Sequence, residues 1–233
     1  MSELAADVPI WIVPRNHDLL DGGGDLAAFL GLEAGFGEAV DYQRVLSTGS
    51  VTIAGLNSNA PPLPLGTARR DLAEALSKAG GGQFWRIAFF HHPPFPGEGR
   101  GRNDLVYWML QPLLLSSRVD LAFAGHSHNY QRSVALGLVD PRPDGVRYVV
   151  SGGGGGELRE PDQTPETTVR ATAHNVVRVV ALDGRLWIEA VDESGAVLDR
   201  VVLAKDRIEG AAREESWSEP PPAPPRSNDL ASG

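Results

Sequence analysis

Cysteine is absent from this chain. Its absence excludes disulfides and thiolate metal sites, so any bound metal must take nitrogen and oxygen ligands. It also suits a reducing compartment. There is no run of Lys or Arg, and the formal net charge is -9, which argues against a nucleic-acid backbone as partner. No apolar stretch is long enough to span a bilayer, so no membrane segment is expected. Residues 1–8 lack the basic region and apolar core of a secretory leader, which leaves a cytoplasmic location as the default. No internal repeat is visible.

What the chain does contain is histidine in a pattern. Five of its six histidines fall in three short clusters: Pro14-Arg15-Asn16-His17-Asp18, His91-His92-Pro93-Pro94, and Gly125-His126-Ser127-His128-Asn129-Tyr130. Each follows a short apolar run of the kind that forms a buried strand. Side chains just past the C-terminal ends of such strands are where α/β sheets place their sites. Three strands would therefore deliver histidines to one rim. The length of 233 residues, with 42% hydrophobic and 22% charged, bounds the chain to one sizeable domain.

Apolar patterning predicts strands at 9–13, 50–56, 85–90, 119–124 and 148–151. It also predicts three closing strands at 175–182, 186–191 and 197–203, joined by Asp-Gly and Ser-Gly turns. Helical spacing predicts helices at 67–79 and 104–116, the second bent at Pro112, with a weaker signal at 26–30. Residues 157–172 read as a polar loop. From residue 206 the composition turns Pro-rich and charged. The expected organisation is one domain over 1–205 and a disordered tail over 206–233.

Histidine is the commonest metal ligand and the side chain best suited to proton transfer near neutral pH. His126 and His128 share a face if the segment is extended, or splay toward two adjacent ions if a turn follows. Asn16 offers a neutral amide oxygen, and His17 beside it suits a general acid. His91 ends a buried strand, where an unpaired histidine is costly. His92 is expected to pack beside the site. His174 carries no motif, and Arg100 and Arg102 read as solvated loop residues.

On these three boxes the chain resembles the calcineurin-like metallophosphoesterases, in their purple-acid-phosphatase-like branch. Asn16-His17-Asp18 is similar to the family's Asn-His-Asp/Glu box. Phe90-His91-His92-Pro93-Pro94-Phe95 is similar to its strand-end histidine motif. Gly125-His126-Ser127-His128, followed by Asn129, Tyr130, Gln131 and Arg132, is similar to its Gly-His-x-His box. The resemblance implies an α/β (α+β) fold of two packed mixed sheets flanked by helices. It implies a metal-dependent hydrolase of phosphate mono- or diesters, using iron, zinc or manganese. It assigns Asn16, His91 and His126 to one metal, His128 to the second, and His17 to protonating the leaving oxygen. Arg15, His92, Tyr130 and Arg132 would bind substrate or support the ligands.

Two departures shape the expectation. The family's Asp-x-His and Gly-Asp boxes are missing ahead of Trp11, so an N-terminally truncated fold is expected, holding one ion or none instead of two. An exposed sheet edge and self-association through it follow. A non-catalytic fragment or binding domain, with a mononuclear or empty site, is the alternative. Arg15 replaces a family glycine at a position expected to need a left-handed turn. Its guanidinium either pairs with a substrate phosphate or stands where a metal would.

Overall fold

The protein is described by a computed structural model over residues 11–19, 43–48, 51–59, 85–97, 101–182, 184–206 and 210–221. Among these described residues, eleven strands form two sheets. In chain order they are β1 (Gln43–Thr48), β2 (Val51–Leu56), β3 (Trp85–Phe90), β4 (Leu121–Ala124), β5 (Tyr130–Ser133), β6 (Arg147–Ser151) and β7 (Thr167–Ala171), followed by β8 (Asn175–Leu182), β9 (Arg185–Asp192), β10 (Val197–Ala204) and β11 (Arg213–Glu215). The larger sheet runs β1-β2-β3-β4-β6-β5-β7 and the smaller β11-β10-β9-β8. Strands β2, β3, β4 and β6 are mutually parallel, while the smaller sheet is antiparallel throughout.

Alternation along β3 shows how the layers are made. Trp85 and Ile87 pack against Leu186, Ile188, Val201 and Leu203 of the smaller sheet. Ala88 and Phe90 point the other way, against the helix α1 (Asp104–Ser116). Both faces of the strand are largely buried, as a sequence that is apolar except at Arg86 requires. The Asn103 side chain caps α1 by accepting the Val106 N–H. The helix runs through Pro112 and buries Val106, Leu110, Leu113 and Leu114.

The expected two-sheet architecture, the strand at 85–90, the helix at 104–116 and the closing hairpins are all present. Several boundaries differ. Trp11 to Val13 form no ladder and are only half-buried. Strands β1, β5 and β7 lie where no strand was expected, β7 within the supposed polar loop. The segment after 206 supplies β11, which pairs with β10 from Val202↔Glu215 to Ala204↔Arg213. The predicted helices at 26–30 and 67–79, and residues 222–233, lie outside the described residues.

Tyr130 and Arg132 are struts between the sheets and do not reach the histidine cleft described below. The Tyr130 hydroxyl donates to Asp199 Oδ2 at 2.7 Å. The Arg132 guanidinium donates to both Asp199 oxygens, at 2.6 and 3.2 Å, and to Glu214 of β11 at 3.1 Å. Burial and the Asp199 carboxylate together push the Tyr130 hydroxyl's pKa far upward, so it stays protonated and donates. Their expected role toward substrate is corrected to a structural one.

Candidate metal centre

The parallel strands β2, β3, β4 and β6 end at one rim, and the chain leaves each strand through a polar residue or a glycine. Asn57 follows β2, His91 follows β3, Gly125-His126 follows β4 and Gly152 follows β6. Residues 14–18 lie across this rim. The Asn59 side chain holds them by donating to the Pro14 carbonyl at 2.7 Å. Asp18 closes a turn by accepting the Arg15 main-chain N–H at 2.9 Å and its Nε at 2.8 Å.

Arg15 therefore forms an ion pair with Asp18. Its φ is not positive, so the expected left-handed strain is absent. It lines the mouth of the cleft.

His91 Nε2 lies 2.9 Å from Asn16 Oδ1 and 3.2 Å from His126 Nδ1. His126 reaches this position through strained backbone. Its φ is +62°, and the Ser127 N–H bonds the Gly125 carbonyl around it at 2.7 Å, which is a γ-turn of the rare strained kind. The Asn129 N–H bonds the Ser127 carbonyl at 2.8 Å, so a second tight turn pivots at His128. Of the two arrangements open to the His-x-His pair, the splayed one is found. His126 turns to His91, while His128 Nδ1–H donates to the Glu157 carbonyl at 2.8 Å. That bond leaves His128 Nε2 as a lone pair, the arrangement typical of metal-ligating histidine. Gly156 is required beside it, because a Cβ there would come 2.4 Å from the His128 ring.

His92 completes a trio with His91 and His126, each placing one nitrogen within 4.8 Å of the others. Burial, then repulsion from His92, His126 and Arg15, lowers the His91 pKa to about 3, and only Asp18 opposes this. Burial and His126 lower His92 to about 4. Both rings are neutral at pH 7, as ligation requires.

Two of the donor separations suit a single ion. Bonds of ~2.05 Å set neighbouring ligand atoms ~2.9 Å apart at right angles and ~3.4 Å apart at the tetrahedral angle. The two observed separations lie in that range. The set is wholly neutral, and no carboxylate joins it among the described residues. The cleft around it, about 740 Å³, is lined by Asn16, His17, His91, His126 and His128 but not by Tyr130 or Arg132. His17 is exposed there.

Sequence reasoning missed Ser58, Asn59, Arg159 and the main chain of Gly154 to Gly156. All are loop residues, placed by contacts distant in sequence. His174 donates to the Gly153 carbonyl at 3.0 Å and stands outside the cluster, and Arg102 is held by Asp104 at 2.6 Å. Arg100 lies outside the described residues. Among the described residues no helix is long and apolar enough to cross a membrane.

This is a two-sheet fold like that of purple acid phosphatases, with clustered histidines at the strand ends. Over 112 residues the chain is 29% identical to purple acid phosphatase 18 of Arabidopsis thaliana, covering 44% of this chain and 26% of that protein. Over 135 residues it is 25% identical to purple acid phosphatase 21 of the same plant, covering 53% of this chain and 31% of that protein. It superposes on purple acid phosphatase PPD1 from yellow lupin (Lupinus luteus) seeds with a TM-score of 0.64 and 21% identity, covering 72% of this chain and 34% of that one. The chain thus spans 26% and 31% of the curated relatives it matches. No protein-family model matches it.

Proposed function

We propose that the chain carries the site of a metal-dependent phosphoester hydrolase. The observation behind this reading is the convergence of Asn16 Oδ1, His91 Nε2 and His126 Nδ1 at contacts of 2.9 and 3.2 Å. These three atoms would hold one ion, and His128 would offer Nε2 to a second. Iron, zinc or manganese all suit such nitrogen and oxygen donors. A bound ion supplies Lewis acidity toward a phosphoryl oxygen and acidifies water.

The chain's own groups do the rest. His17, exposed at the cleft, gives its proton to the departing ester oxygen. His128 is fixed by Glu157, so its ring needs no reorganisation to act. Arg15 and Arg159 at the cleft favour an anionic ester.

A second reading has one observation in its favour, the neutral ligand set. Without an anionic ligand a divalent ion is held less tightly, which suits a binding domain with a mononuclear or empty site.

The test is p-nitrophenyl phosphate hydrolysis by the full chain in manganese, zinc or iron, with bound metal counted. Turnover that disappears in His91→Ala and His126→Ala together with the ion supports the hydrolase. Stoichiometric metal without turnover under any ion supports the binding domain.

A further inference from the structure

The glycine run after β6 lines the cleft with main chain. Gly154, Gly155 and Gly156 all border it. Among the described residues, none accepts a hydrogen bond from their three N–H groups. Gly155 adopts φ +143°, a conformation open to glycine. A Cβ at Gly154 or Gly155 would meet nothing within 4 Å, so no packing atom stands over this wall. Consecutive main-chain N–H groups along a concavity are a general anion-binding arrangement.

Arg159 stands beside them. Its N–H donates to the His128 carbonyl at 3.0 Å and its carbonyl accepts from Asn129 Nδ2 at 3.1 Å. The Arg159 backbone is thereby pinned to the loop that carries the site histidines, and its side chain is exposed at the cleft.

The make-up of the cleft sharpens this. Its described lining contains no carboxylate and no apolar or aromatic side chain beyond the imidazoles, in a chain of net charge -9. Such a recess concentrates anions. It also gives an aromatic leaving group no apolar wall to rest on.

We propose that Gly154 to Gly156 and Arg159 form a second anion subsite beside the histidine cluster, so that the preferred ligand is an organic bisphosphate on a polar, non-aromatic scaffold. The proposal rests on the hydrolase reading in placing the first phosphate at the histidines. The second phosphate takes the main-chain donors and the guanidinium, whose charge-assisted bonds are the stronger kind.

The test compares fructose 1,6-bisphosphate, fructose 6-phosphate and phenyl phosphate binding to the full zinc-loaded chain, by calorimetry and by amide NMR. The bisphosphate is expected to bind at least about tenfold more tightly than either monophosphate, a difference of about 1.4 kcal/mol, and to shift the Gly154 to Gly156 amide resonances. Arg159→Gln brings the ratio close to one. Gly154→Pro, which removes a donor, does the same, whereas Gly154→Ala, which keeps the N–H, retains the preference. Equal affinities, no binding, tighter binding of phenyl phosphate, or a preference that survives both Arg159→Gln and Gly154→Pro would overturn the proposal. Failure of the hydrolase reading shows separately, as absent phosphate release from both p-nitrophenyl phosphate and fructose 6-phosphate while the bisphosphate preference persists.

Discussion

Ser58 Oγ accepts the main-chain N–H of His92 at 2.9 Å and lies 3.0 Å from Nδ1 of the same residue. Ser58 is buried. Among the described residues, its hydroxyl proton has no acceptor other than that nitrogen. With that hydroxyl donating to Nδ1, the ring's own proton sits on Nε2. The prediction is that His92 serves as a wall of the metal centre and not as a ligand.

His92→Ala is accordingly expected to change metal affinity by no more than ~3-fold. His91→Ala and His126→Ala should cost about 100-fold or more, beyond the usual effect of losing a supporting residue. Metal titration by calorimetry checks this, and ¹⁵N shifts of His92 report the tautomer. Loss of the ion in His92→Ala, matching that in His91→Ala, would sink the assignment.

His126 is held in the left-handed region at φ +62°, which costs on the order of 1 kcal/mol or more for a non-glycine residue. His126→Gly relieves that cost while deleting a ligand. The metal-free variant should melt at the same temperature as the parent or higher, yet bind the ion poorly. A metal-free melting temperature several degrees lower would show that the ring stabilises the fold without the ion.

Acid should weaken the fold through His91 and His92. Their native pKa values, about 3 and about 4, lie below the unfolded value of 6.5. The unfolded chain thus binds more protons than the native one as pH falls below 6.5. The stability they contribute is complete above that pH and is lost on the way down toward 4 and 3. The slope is at most ~1.4 kcal/mol per pH unit for each ring. Urea unfolding at pH 7 and pH 5 measures it, and His92→Gln should flatten the slope. An identical slope in that variant would exclude the ring as its source.

The inter-sheet strut makes a prediction free of catalysis. Asp199→Ala leaves the buried Arg132 without its main counter-charge and is expected to destabilise by about 3 kcal/mol or more. Tyr130→Phe, which loses one hydrogen bond, should cost about 1 kcal/mol. Chemical denaturation checks both. A Tyr130→Phe variant with unaltered stability and a raised KM would return that residue to the substrate site.

Much of this arrangement is legible in the chain. Strand β3 and the helix Asp104–Ser116 declare themselves because each buries a face with the right period. The three histidine clusters fall after apolar runs, which was enough to expect convergence at one rim. Strand β5 is illegible for the opposite reason. Tyr130, Gln131, Arg132 and Ser133 are all buried yet polar, and their partners, such as Asp199, lie a whole sheet away in the fold. β7 reads as loop because its exposed side alternates with a half-buried one. The Arg15-Asp18 turn rests on one carboxylate serving both a main-chain N–H and a guanidinium, and the glycine wall on the path of the chain, neither of which a residue pattern announces.

Asn16 and His91 are separated by 75 positions in the chain. An ion gripped by both would close a loop of that size, as a covalent cross-link would. Closing a long loop removes more freedom from the unfolded chain than closing a short one. In a protein without a single disulfide, the cation would then act as a removable staple, and the chain's resistance to unfolding would track the metal supply of its surroundings.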